Sequence, residues 1–178
     1  MTTASASEDW EDWTVPWRSR REWSEAVRAL DRLVLSRDGG LAEALSRAAA
    51  VRDALEGLFP LLDALCLQTC VRCPDPCCLH AAVYVDFRDL LFLSLSGIDR
   101  PPGQLRRRPG DICRFFTDQG CLLPRLQRPW VCTWYLCAAQ RSRAAEWTAS
   151  NRHRLLDGLD RIRAERKRME EAFLLAVT

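Results

Sequence analysis

Nine cysteines stand in a chain of 178 residues, and eight of them fall into two blocks: Cys70, Cys73, Cys77 and Cys78 in the stretch "CVRCPDPCC", then Cys113, Cys121, Cys132 and Cys137. A Cys-x-x-Cys pair such as Cys70 and Cys73 lets two soft thiolates reach one ion, as in zinc knuckles and iron–sulfur loops. Pro74 and Pro76 keep Cys73 and Asp75 out of helical geometry, which predicts an ordered loop and not a helix running on from Leu65. Adjacent Cys77 and Cys78 project in divergent directions in either a helix or a strand, so they are expected to face different partners. Four thiolates suffice for a four-cysteine zinc site or a 4Fe–4S cluster, and eight permit two such centres. Cysteine also serves as a small core residue, but this spacing, the adjacent pair and the loop prolines argue against core filler. Cys66, one helical turn before Cys70 on an apolar stripe, is the exception and is expected in the core. His80 is expected to be a hydrogen-bonded residue before it is a nitrogen ligand, and His153 has no cysteine near it in sequence.

The rest of the composition narrows the setting. The N-terminal residues "MTTASASEDWEDWTVPW" contain no basic region followed by an apolar one, and no apolar run reaches the roughly 18 residues a bilayer span needs. The expectation is a cytoplasmic protein with reduced thiols, where metal ligation prevails over disulfides, and with no membrane partner. A formal net charge of +2 argues against a nucleic-acid partner. The run Arg152, Arg154, Arg161, Arg163, Arg166, Lys167 and Arg168 is interspersed with Asp157, Asp160, Glu165, Glu170 and Glu171, and so reads as a solvated helix face. A protein partner stays open.

These cysteines need elements to position them. Residues 1–16 read as a mobile polar arm carrying Trp10 and Trp13, and residues 17–178 as a single helical domain that contains the cysteine motif at 70–137. Trp23, Val27, Leu30 and Val34 repeat at helical spacing up to Gly39-Gly40. Leu41, Leu45, Ala48, Leu55, Leu58 and Leu62 mark a second helix, which Pro60 is expected to kink or split. Trp147, Leu155, Leu159, Ile162, Met169 and Phe173 mark a third long helix. Between them, "VDFRDLLFLSLSG" reads as a short buried helix ended by Gly97, and "DRPPGQLRRRPGD" has the composition of an exposed loop. The predicted fold class is mainly α: a bundle formed by helices over 17–66 and 139–176, presenting a cysteine-rich metal-binding loop region.

With these residues in view, the chain resembles the CxxCxxxCC cysteine-cluster family, also called YkgJ-like, a zinc- or iron-chelating domain. The opening falls on Cys70, Cys73, Cys77 and Cys78; a cysteine followed by an aromatic falls on Cys113 and Phe115; the glycine-cysteine pair on Gly120 and Cys121; and the Arg-Pro-x-x-Cys close on Arg128, Pro129 and Cys132. The resemblance covers residues 70–137 and implies a metal or iron–sulfur centre. Some larger relatives, flagellin lysine methylases, join a similar cluster to methylation, but this chain has no G-x-G-x-x-G nucleotide loop and methyl transfer is not carried over.

The expected cofactor is an iron–sulfur cluster (4Fe–4S) or zinc, held by the eight cysteines, with iron–sulfur favoured because histidine is nearly absent from the motif. The expected role is non-catalytic, accessory, redox or metal-handling. The alternative is a small metalloenzyme or electron carrier, linked to protein modification such as lysine methylation. No general base stands out, since Asp75, Asp86, Asp89, Asp111 and Asp118 read as ordinary loop or helix-flank acids. Trp130 and Trp134, in "RPWVCTWYLC", are expected to cover the centre.

Overall fold

The computed structural model describes residues 15–36, 39–71, 73–80, 83–106 and 111–178. The arm expected over residues 1–16 therefore lies outside the described residues as far as residue 14. Among the described residues the fold is mainly helical, as expected, with seven α-helices and a single two-stranded sheet.

Helix α1 (Arg20–Leu35) begins at a reciprocal cap: Glu22 N–H donates to Ser19 Oγ and Ser19 N–H donates to Glu22 Oε2, both at 3.1 Å. Its apolar stripe buries Trp23 and Leu30, and the Trp17 indole meets Trp23 edge-on with ring centroids 6.2 Å apart. Gly39, at φ +83°, supplies the left-handed turn after it.

Helix α2 (Ala42–Thr69) runs through Pro60 without a break, so of the expected kink or split the split does not occur. A mid-helix proline costs about 3 kcal/mol. Leu55, Leu58, Leu62 and Leu65 are all buried on either side of it, and packing of that stripe outweighs the loss. The third long helix is α7 (Ala149–Val177), and the shorter α6 (Ala138–Ala145) precedes it. Thr148 separates them, its hydroxyl accepting from Asn151 N–H at 3.3 Å and so starting a new helix.

Helices α2 and α7 form the main pair, and two contacts show that they run antiparallel. Arg47 pairs with Glu165 at 3.2 Å, and eleven residues further along α2, Leu58 lies against Gly158. Leu155, Leu159, Ile162, Met169 and Phe173 fill the core from the α7 side. The one-turn helix α3 (Cys77–His80) follows α2 across the proline loop. Helix α4 (Phe87–Leu95) then packs on α7 through the Phe87–Phe173 rings, 6.3 Å apart, and the Arg88–Glu170 ion pair at 2.7 Å; Gly97 ends it at φ +63°, as expected.

The segment after α4 departs from its composition. Gln104, Leu105 and Arg106 are buried, where an exposed loop was expected. Gln104 explains why: its amide accepts from Val85 N–H and donates to the carbonyls of Val85 and Pro16, at 2.8, 2.9 and 2.7 Å, pinning the segment inward. Residues 107–110 lie outside the described residues.

Two glycines give a paired test of the helix contact. A Cβ on Gly158 would stand 2.8 Å from Leu58 Cδ1, whereas one on exposed Gly57 would meet nothing within 4 Å. Gly57→Ala is expected to stabilise the protein by about 0.5–1 kcal/mol through helix propensity. Gly158→Ala is expected to lower stability by about 1 kcal/mol, because overpacking outweighs the same gain. Thermal denaturation of both variants reads the two opposite signs.

Candidate metal centre

The thiols come from short elements grouped around the end of α2. Cys66 and Cys70 occupy its last turn and C-cap; Cys73 lies in the proline loop; Cys77 and Cys78 open α3. Cys113 precedes a hairpin of β1 (Phe116–Thr117) and β2 (Gly120–Cys121), paired antiparallel, which carries Cys121. Cys132 lies in the one-turn helix α5 (Val131–Trp134), and Cys137 caps α6. All nine cysteines are free thiols.

The two blocks, separated by residues 79–112, meet in space. Cys113 N–H donates to the Cys78 carbonyl at 3.2 Å, and Arg106 Nη2 donates to the same oxygen at 2.8 Å. Cys73 N–H donates to the Cys70 carbonyl at 3.2 Å. The thiols of both blocks also perturb one another. Cys77 is lowered to about 6, chiefly by the Cys78 thiol, while Cys78 is pushed up by the Cys77 thiolate, by burial, and by the charges of Cys132 and Cys113. Burial raises Cys113, and it raises Cys132, with Cys113, Cys121 and Cys77 adding to the latter. Cys132 is nonetheless solvent-exposed.

Cys66 corrects the sequence reading. It is half-buried at the edge of this set and not in the core. The Cys70 thiol, followed by Arg125 and Arg128, brings Cys66 down to about 6 against the cost of burial, and Cys70 is raised in return. Arg125 Nη2 lies 3.6 Å from Cys66 Sγ and also pairs with Asp63. Cys77 and Cys78 likewise differ from expectation: one is exposed and the other half-buried, yet each is the other's strongest partner.

Gln140 was missed by sequence reasoning. Buried on α6, it donates through Nε2 to Cys66 Sγ at 3.7 Å and Cys70 Sγ at 3.5 Å, while Oε1 accepts from Cys137 N–H at 3.2 Å. Its position three residues after the cap is the signal that was available, obscured because cysteine is not a usual N-cap. One side chain thus joins the last turn of α2 to the start of α6. On the metal-binding reading proposed below, Gln140→Leu is expected to weaken metal retention by about 10–100-fold, the usual cost of losing a residue that orients ligands. Competition with a chelator measures this, with helicity by circular dichroism unchanged.

Other residues take the bland reading or move away from the centre. His80 Nε2 pairs with Asp75 Oδ1 on the surface, and His153 is exposed on α7. Trp130 packs on the helical core with the Arg166 guanidinium 5.7 Å from its ring centroid, and Trp134 is 40% exposed against Tyr135. Among the described residues no three Cys, His, Asp or Glu side chains are arranged to hold one metal ion. No helix of the described residues is long and apolar enough to cross a membrane.

No family model, curated protein or solved structure matches the chain. Fold and site define a class all the same: a mainly helical protein that gathers free thiols from two distant sequence blocks at one end of its central helix pair.

Proposed function

We propose that this chain is a thiolate-liganded metal protein of the CxxCxxxCC, YkgJ-like kind, holding an iron–sulfur centre in a non-catalytic accessory, redox or metal-handling role. The observation that carries the reading is the meeting of the two cysteine blocks at the Cys78 carbonyl, with thiols of both blocks in one another's field.

The donor set fits such a group. A single zinc ion at about 2.3 Å from each sulfur needs its donors within about 4 Å of one another. A multinuclear cluster binds each thiolate at a different iron and accepts a wider set. The set is all thiolate, with His80 paired to Asp75 on the surface and His153 on α7, and so lacks the nitrogen donors common in zinc sites; this favours iron–sulfur. Cys70, Cys73, Cys77, Cys78, Cys113, Cys121, Cys132 and Cys137 are the proposed ligands. Arg125 beside Cys66 offsets negative charge there. When bound, a cluster supplies one-electron chemistry at a potential set by such charges and by solvent access.

The test is anaerobic purification followed by visible absorbance and elemental analysis. Brown protein with iron and acid-labile sulfide supports the reading. Colourless protein with stoichiometric zinc keeps the thiolate site but replaces the metal, and protein that holds neither metal after reconstitution refutes it.

A further inference from the structure

The segment that turned out to be buried forms one wall of a cleft of about 580 Å3. Arg18, Ser19 and Arg20 at the start of α1 also line it, together with Gln104, Arg106 and Arg114. Among the described residues, none of the four arginines lies within ion-pair distance of a carboxylate. This departs from the rest of the molecule, which pairs its inward-facing arginines: Arg100 with Asp31, Arg125 with Asp63, Arg166 with Asp86 and Asp89. Glu22, the acid nearest Arg18 and Arg20 in sequence, is engaged by the Ser19 N–H.

Arg106 makes the imbalance costly. It is only 6% exposed; Nη2 donates to the Cys78 carbonyl, but Nε is buried without a hydrogen-bond partner. Buried charges are ordinarily paired, and an unsatisfied buried donor carries a penalty, so this group calls for an anion. The cleft is also built to hold its shape. Gln104 is fixed by three hydrogen bonds, Arg114 Nη1 donates to the Gln104 carbonyl at 3.3 Å, and a Cβ on Gly103 would come within 3.2 Å of that same nitrogen. The N-terminus of α1 adds its positive dipole end.

We infer that this cleft is a binding site for a small phosphorylated molecule, separate from the thiols. Guanidinium groups match phosphate oxygens with paired N–H donors. The volume lies within the 300–1,000 Å3 typical of small-molecule sites and leaves room for more than the phosphate itself.

Isothermal titration of the full chain with inorganic phosphate and with glycerol 3-phosphate, at matched ionic strength in chloride, tests the site. Saturable one-site binding is expected, tighter for the ester than for inorganic phosphate. Arg20→Gln and Arg114→Gln, both at exposed positions, are each expected to weaken it about tenfold. Arg154→Gln, on the exposed face of α7, should bind as the parent does, and metal content should be the same in all variants. Absence of saturable heat with either probe, an ester no tighter than inorganic phosphate, or equal weakening by Arg154→Gln would overturn the inference.

Discussion

With Cys132 a ligand of the proposed centre, Cys132→Ser is expected to strip most of the metal, weakening its retention by more than about 100-fold, a larger loss than that expected at an orienting residue such as Gln140. Cys132 senses both blocks, as Cys78 does: Cys77 acts on it from the first, Cys113 and Cys121 from the second. A serine hydroxyl at the same place is a poor ligand for a soft metal. The loss should extend to stability, because the elements that carry the thiols are too short to persist alone. Helices α3 and α5 have four residues each, and the strands of the hairpin two each. Where a preformed site does not exist in the unfolded chain, metal-binding energy is folding energy. The as-purified variant should therefore melt below the parent, and the two should converge once the parent has been stripped by a chelator. A gap in melting temperature that persists without metal would show that Cys132 supports the fold by packing instead.

What the sequence made legible follows from which forces are local. Apolar residues at helical spacing located α1, α2, α4 and α7, since burial of a stripe is what makes those helices. The errors came where one side chain decides. Pro60 fails to break α2 because the leucines around it are buried against α7, and that contact is invisible from α2 alone. A stretch of Pro, Gly and Arg reads as exposed loop, yet Gln104, through three hydrogen bonds to distant backbone, turns it inward. The candidate site shows the same division. The cysteines could be counted and spaced, but the approach of Cys113 to Cys78, the place of Cys66 beside Arg125, and the bridge made by Gln140 depend on how α2, α6 and the hairpin pack. Asp89 is the sharpest case, since from sequence it is one more acid in the first turn of a helix.

Asp89→Ala is expected to destabilise the protein by about 3–5 kcal/mol, the usual cost of breaking a buried ion pair from one side. The Asp89 carboxylate is 5% exposed and Arg166 4%, with 2.8 Å between Asp89 Oδ1 and Arg166 Nη2. Asp89 Oδ1 also accepts from Trp130 N–H at 2.9 Å and Oδ2 from Asp86 N–H at 3.0 Å, while Arg166 reaches Asp86 as well and lies over the Trp130 ring. This knot ties α4 to α7 and holds the backbone of the segment that carries Cys132. Alanine would leave Arg166 with Asp86 as its remaining carboxylate and Trp130 N–H without its acceptor. At about 2–4 °C per kcal/mol for a chain of this size, the melting temperature should fall by about 6–20 °C. Asp89→Asn should cost less, because its amide oxygen still accepts from Trp130. Burial raises the Asp89 carboxyl to about 6, with Arg166 opposing it. The folded state therefore holds a proton more tightly than the unfolded chain, and the stability this group contributes is full below its ordinary range and lost as pH rises through about 6. Asp89→Asn should flatten that decline between about pH 4 and 6. Denaturant melts of the three proteins at pH 4, 5, 6 and 7 read both effects, and an unchanged slope in Asp89→Asn would place the pH dependence on another group.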